Sequence, residues 1–241
     1  MNNGKVALVF GGSRGIGAAI VQRLARDGHA VAFTYVSRED RARALVATVE
    51  QDGSRALAIH ADSADPAAIT AAVDETVNAF GRLDVVVVNA GVLRLGNIDG
   101  YQLEDLDQTL AVNVRGVFLA IQAAVARMGE GGRVITIGSN TAVRSGHVGS
   151  SVYAMSKAAV ATMVQNLALD LAPRQITINN IQPGPTLTDM TAELADATRK
   201  FVPLDRLGQP AEIASLASWL AGSEAGYMTG SSLTIDGGFV A

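Results

Sequence analysis

The sequence predicts an α/β protein built on a doubly wound parallel sheet of about seven strands, with helices on both faces. Three observations carry that expectation. Short runs rich in Val and Ile alternate with longer stretches of helical period, the pattern of repeated strand–helix units. The runs are continuously apolar, as strands buried on both faces are, and Leu83-Asp84-Val85-Val86-Val87-Val88 is the clearest of them. A glycine cluster, Gly11-Gly12-Ser13-Arg14-Gly15-Ile16-Gly17, follows the first run and opens a helix. That is the Rossmann-type arrangement.

In chain order the expected elements are a strand at 6–10, a helix at 15–27, a strand at 30–35, a helix at 38–51 and a strand at 55–60. A helix at 65–80 follows, with Asp65 as N-cap and Pro66 in the first turn, where a missing N–H costs nothing. Then come a strand at 85–89, a helix at 103–128, a strand at 133–138, a helix at 151–172, a strand at 176–182, a helix at 210–222 and a last strand at 232–235. The helix at 151–172 is apolar or small on more than one face (Val152, Ala158, Ala161, Val164, Leu167, Leu171), which predicts burial on two sides, in the core or at a subunit contact. No linker, repeat or low-complexity tract appears, so 1–241 is expected to be one domain. The stretch 185–205 is the least regular and is expected to form a substrate flap.

Composition narrows the function. The chain is 49% hydrophobic and 17% charged, with a net charge of -4 and no long basic run, which argues against nucleic-acid binding. It has no cysteine, which excludes disulfides, thiolate metal sites and cysteine nucleophiles. His29, His60 and His147 share no metal-ligand spacing, so no metal is expected. The N-terminus enters a strand directly without a signal-peptide pattern. No apolar run of the length of a membrane span escapes interruption by glycine or charge. The expectation is a soluble cytoplasmic protein.

A strand, a glycine turn and a helix in that order present backbone N–H groups and a helix N-terminus to a phosphate. A dinucleotide site that prefers NAD has an acidic residue near the end of the second strand. Here that strand ends Phe33-Thr34-Tyr35-Val36-Ser37-Arg38, with no carboxylate before Glu39. Arg14, Arg38 and the hydroxyl of Ser37 suit a 2′-phosphate, so the expected cofactor is NADPH. In Ser-Val-Tyr-Ala-Met-Ser-Lys, Tyr153 and Lys157 lie four apart, on one helical face. A lysine cation beside a phenol favours the phenolate, and the pair is expected to serve general acid–base chemistry.

With these motifs in order, nearly the whole chain, from Lys5 to about Phe239, resembles the short-chain dehydrogenase/reductase family. Gly11, Ser13, Arg14, Gly15, Ile16 and Gly17 look like its cofactor turn, and Tyr35, Ser37 and Arg38 follow at the second strand. The resemblance implies that Asp62, with Ser63, contacts adenine and that Asn89-Ala90-Gly91 lines the adenine-ribose side. It implies that Pro183-Gly184, with Thr186 and Thr188, meets the nicotinamide. It implies Asn113, Ser139, Tyr153 and Lys157 as catalytic residues: Tyr153 the proton donor to a carbonyl oxygen, Ser139 its hydrogen-bonding partner, Lys157 the ribose anchor, and Asn113 the holder of a water linking Lys157 to solvent. The expected activity is NADPH-dependent reduction of a small-molecule ketone to an alcohol, in a homotetramer that uses the helices near 103–128 and 151–172. A regulatory binder without turnover, or an alcohol dehydrogenase running in the oxidative direction, are the alternatives.

Three departures from the family pattern stand out. Phe10 replaces a usual threonine, and Val88 replaces a usual asparagine; with the first strand beside the fourth in a doubly wound sheet, the two are expected to meet in apolar packing. Ser139 lies one position further from Tyr153 than the family serine usually stands, which would be Asn140. Ser139 is expected to carry the role, with one extra loop residue between. His147, Arg94 and Arg144 are weighed as pocket residues, and Leu93, Val143 and Met190 as apolar wall. Trp219 is expected to anchor the last helix.

Overall fold

The computed structural model describes residues 4–144, 147–189, 191 and 198–241. Seven strands form one parallel sheet: β1 Val6–Phe10, β2 Ala30–Tyr35, β3 Ala56–His60, β4 Val85–Val88, β5 Arg133–Ile137, β6 Thr177–Pro183 and β7 Ser232–Ile235. Their order is β3-β2-β1-β4-β5-β6-β7, with every neighbouring pair parallel. The helices are α1 Gly15–Arg26, α2 Glu39–Gln51, α3 Pro66–Phe80, α4 Leu103–Leu110, α5 Val117–Arg127, α6 Ser151–Leu171 and α7 Pro210–Ala221. The expected boundaries and these differ by a residue at most ends.

Alternate strand residues feed two cores, one on each face. Leu8 and Phe10 of β1 join α3, α5 and α6 through Ile69, Val73, Val117, Ile121, Val160 and Val164. Ala7 and Val9 join α1, α2 and α7 through Ile20, Leu24, Leu45, Val49, Ile213 and Leu220. Fully burying one such aliphatic side chain contributes roughly 1.5–3 kcal/mol. Phe10 and Val88 are register partners across β1 and β4 and share the first core, so the two apolar replacements do pack on one face.

Asp65 caps α3: its carboxylate accepts the N–H of Ala67 at 2.8 Å, with Pro66 next to it. The expected single helix at 103–128 is instead α4 and α5 joined by a π-helical turn, Ala111–Gly116. Gly116 is there because a Cβ at that position would lie 2.2 Å from the carbonyl oxygen of Ser63. By length and composition the 103–127 helix could cross a membrane. The fold uses it otherwise, burying Val112, Val117, Ala120, Ile121 and Ala124 against the sheet and α3. In α6 one face is buried (Ser156, Lys157, Val160, Val164, Ala168, Leu171), while Met155 and Leu169 are exposed. Trp219 is no buried anchor: it is 37% exposed, beside Tyr227 in a shallow surface recess.

His29 carries a pH prediction. Its Nδ1 donates to the carbonyl of Leu24 at 3.0 Å, and its buried Nε2 has no partner among the described residues. Burial pushes its pKa below the usual 6.5. The unfolded chain therefore binds a proton that the folded chain resists, and stability falls as pH drops below about 6.5. Thermal melting at pH 5.5 and 7.5 should show that loss, and His29→Asn, which keeps the donor to Leu24, should reduce it. Equal losses in both proteins would acquit His29.

Candidate active site

A cavity of about 770 Å³ lies at the carboxyl ends of the strands. It straddles β1 and β4, where the strand order reverses, the usual ligand position in an open α/β sheet. The expected residues Gly11, Ser13, Arg14, Gly15, Ile16, Tyr35, Ser37, Arg38, Asp62, Ser63, Asn89, Ala90, Gly91, Pro183, Gly184, Thr186 and Thr188 all line it, with Ser139, Tyr153 and Lys157. Asn113 and Gly17 stand just behind the wall.

The glycine turn is braced from three sides. Thr34 accepts the Gly11 N–H on its hydroxyl and the Gly12 N–H on its carbonyl, both at 2.9 Å. Asn89 donates its amide to the carbonyl of Gly11 at 2.7 Å. A Cβ on Gly17 would sit 2.1 Å from that same oxygen, so the helix start can approach the turn only without a side chain. The first turn of α1 has no acidic residue and no side-chain cap, which leaves its N–H groups free to bind an anion. Asn89 thus braces the turn with its amide, beyond the ribose-lining role the resemblance implied. Thr34 was missed, being one hydroxyl in an otherwise apolar strand.

At the β2 end three arginines line the cavity, Arg14, Arg38 and Arg41. Arg38 adopts a left-handed backbone (φ 64°) and pairs with Asp40 at 3.0 Å. Arg41 pairs with Asp189, whose carboxyl Arg41, then Arg14 and Arg38, hold below the usual range. Arg41 was not foreseen, because in sequence it is one charge in the run Glu39-Asp40-Arg41. Asp62 accepts the Ala64 N–H at 2.8 Å, and Tyr35 packs edge-on against His60 with ring centroids 5.4 Å apart.

At the other end α6 delivers Tyr153 and Lys157 one turn apart, facing Ser139 at the end of β5. The Tyr153 hydroxyl lies toward that of Ser139, whose Oγ accepts the Thr141 N–H at 3.2 Å and the Thr141 hydroxyl at 3.0 Å. Asn140, the alternative to Ser139, points away and donates to Asp236 at 3.2 Å. Lys157 is buried, donates to the carbonyl of Ile137 at 3.0 Å, and has Nζ 5.7 Å from the Tyr153 ring centroid. Asn113 sits in the π-helical turn with its side chain engaged: it accepts from Val92 N and donates to Val92 O, both at 2.9 Å, and donates to Ser156 at 3.1 Å. Both amide donors are thus committed, and any water it holds would have to meet the remaining lone pair of Oδ1 or a main-chain atom. Thr188 lies against Gly15, and its hydroxyl contacts that of Thr191 at 3.2 Å.

One electrostatic expectation needs correction. Lys157 was expected to lower the pKa of Tyr153. Burial instead pushes the phenol upward, and the Ser139 hydrogen bond only partly offsets this. Burial also brings Lys157 down to about 8. Both groups meet the same low-dielectric surroundings, which disfavour either charge.

The weighed pocket residues divide. His147 and Leu93 line the cavity. Arg94 turns to Asp105 at 3.2 Å, while Arg144 is exposed and Val143 is 62% exposed. Met190 and much of the expected flap fall outside the described residues.

A family model described as enoyl-(acyl carrier protein) reductase matches residues 11–240. The chain is 41% identical to the cyclic-di-GMP-binding biofilm dispersal mediator protein of Escherichia coli, over 98% of this chain and 97% of that one. A short-chain dehydrogenase/reductase from Serratia marcescens superposes with a TM-score of 0.97 at 54% identity, covering 99% of this chain and 98% of the other. A short chain dehydrogenase from Burkholderia cenocepacia, in complex with NADP, superposes at 0.96 with 50% identity and 98% coverage of both chains. Fold, glycine turn and Tyr-x-x-x-Lys helix agree with these likenesses, and the chain belongs to the short-chain dehydrogenase/reductase family.

Proposed function

We propose that this protein reduces a ketone to a secondary alcohol with NADPH. The carrying observation is one cavity with Ser139, Tyr153 and Lys157 at one end and three arginines at the other. The braced glycine turn and the N-terminus of α1 would hold the pyrophosphate, and Arg14, Arg38 and Arg41 the 2′-phosphate. The bound nicotinamide supplies the hydride. Ser139 donates a hydrogen bond to the substrate carbonyl oxygen and stabilises the charge that grows there. Tyr153 donates the proton to that oxygen. Burial keeps the phenol protonated at neutral pH, so it has a proton to give, and the Ser139 hydrogen bond and the Lys157 cation ease its release. Lys157 orients the ribose and keeps a positive charge beside the phenol. The continuous sheet supports one domain over 1–241. Exposed Phe118, Met155 and Leu169 on α5 and α6 support a homotetramer, and the reading is of a cytoplasmic enzyme.

Consumption of NADPH beside NADH, against a panel of activated ketones and 3-oxo esters, tests this reading. NADPH-dependent turnover is the expected result. Arg38→Asp, which asparagine-like backbone tolerance at positive φ allows, should move the NADPH:NADH preference toward NADH by roughly tenfold or more, the worth of one charge-assisted hydrogen bond. An unchanged ratio would sink the phosphate assignment. The second reading, a binder without turnover, draws on the Escherichia coli relative, named for binding cyclic-di-GMP. Tight NADPH binding displaced by that dinucleotide, with no ketone reduced, would favour it.

A further inference from the structure

The C-terminal tail enters the cavity at the end that holds Tyr153. Phe239 and His147 both line it, with ring centroids 6.3 Å apart and planes inclined by 31°. Asp236 fixes this placement. Its carboxylate accepts the N–H of Gly238 at 2.9 Å, the N–H of Val240 at 3.1 Å and the side-chain amide of Asn140 at 3.2 Å. Asn140 is buried and follows Ser139 directly. On the opposite side the carbonyl of His147 accepts the hydroxyl of Ser150 at 2.6 Å, three residues before Tyr153. The contacts thus run in a circuit: Ser139-Asn140 to Asp236, along the tail to Phe239, across to His147, and through Ser150 to Tyr153. Leu93, Leu95 and Val148 complete this end. Apart from Lys157, the charged lining residues Arg14, Arg38, Arg41, Asp62 and Asp189 do not belong to it: they follow β1, β2 and β3 or join that arginine cluster.

We propose that Phe239, backed by His147 and held by Asp236, is the specificity wall of the reaction, and that it selects an uncharged ketone whose carbonyl is attached to an aromatic ring. A ring lying against Phe239 gains offset or edge contact beyond simple area burial. Among the described lining residues the one cation at that end is the buried Lys157, whose ammonium already donates to the carbonyl of Ile137, so a carboxylate or phosphate on the substrate finds no arginine there. Phe239 is a specificity residue and Asp236 a positioning residue. This inference rests on the reductase reading.

The test compares 1-tetralone with 2-pentanone, NADPH saturating, in the wild type, Phe239→Leu and Asp236→Asn. The wild type should favour 1-tetralone in kcat/KM by on the order of a hundredfold. Phe239→Leu should lower that preference about three- to tenfold, through KM for 1-tetralone, with 2-pentanone nearly unchanged. Asp236→Asn should lower the preference in the same sense without changing NADPH affinity or the melting temperature by the same proportion. Equal use of both ketones by the wild type, or equal losses on both in Phe239→Leu, would overturn the wall. Asp236→Asn losing both activities together with thermal stability would overturn the positioning role. NADPH binding with neither ketone reduced, nor any of the wider panel, would fell the reductase reading itself; turnover of aliphatic or acidic ketones alone would fell only this inference.

Discussion

Tyr153→Phe is expected to lower kcat for ketone reduction by about 10²–10⁴-fold while leaving NADPH affinity within about twofold. The substitution keeps the ring, its packing in α6 and its 5.7 Å relation to Lys157, and removes only the hydroxyl that meets Ser139. In the proposed mechanism that hydroxyl acts on the substrate oxygen, so the loss falls on the chemical step. Single-turnover reduction with pre-bound NADPH, beside a fluorescence titration of NADPH, separates the two. Activity near that of wild type would remove Tyr153 from the mechanism and leave Ser139 to be tested as the proton source.

Lys157→Met should produce the second large effect, in two directions at once. Activity should fall on the order of a thousandfold, since the cation beside the acid is lost. The ligand-free protein should nevertheless become more stable. Burial depresses the Lys157 pKa from 10.5 to about 8, so at pH 7 the folded state carries a penalty near 3 kcal/mol that the unfolded state does not. Methionine removes that penalty and gives back about 1 kcal/mol by leaving the carbonyl of Ile137 without its donor. The melting temperature should rise by several degrees. The sign has a pH signature. Below pH 8 the wild type bears the full penalty; between 8 and 10.5 the penalty fades, and wild-type stability rises relative to Lys157→Met. Wild-type reduction should also decline as pH passes upward through about 8. Melting curves at pH 7 and pH 9.5 check this, and a lower melting point for the variant at pH 7 would refute it.

The strands and most helices were legible because the sheet is buried on both faces, so its strands are written as plain apolar runs. The cap at Asp65 and the shared face of Tyr153 and Lys157 are local rules that need no knowledge of the rest of the fold. Contacts between distant segments were harder to read. Thr34 reaches the glycine turn only because β2 lies beside β1. Arg41 reaches the cavity only because α2 starts where β2 ends, and its neighbours in sequence make it look like solvated charge. The amide of Asn113 is committed to Val92, and only the assembled fold reveals that. The electrostatics of Tyr153 were misjudged because sequence gives the spacing of two groups but not the medium around them. Ser139 is preferred over Asn140 on strand-end geometry alone, and the contact that commits Asn140 to Asp236 of the C-terminal tail is visible only in the assembled fold.

The π-helical turn at Ala111–Gly116 acts as a phase shift. Each residue of an α-helix advances about 100° around the axis, and a π turn accommodates one residue more than an α turn. Upstream and downstream of it, two inward stripes that would otherwise drift apart are brought back to the same bearing, so that Thr109 and Val112 continue into Val117, Ala120 and Ala124. A deletion of one residue between 111 and 116 would restore regular winding. It would leave the downstream stripe on the same bearing, because the π turn already absorbs the extra residue, whereas a one-residue change in a regular part of the helix turns everything after it by about 100°. The stretch therefore carries its extra residue, with Asn113 inside it, without disturbing the burial of α5.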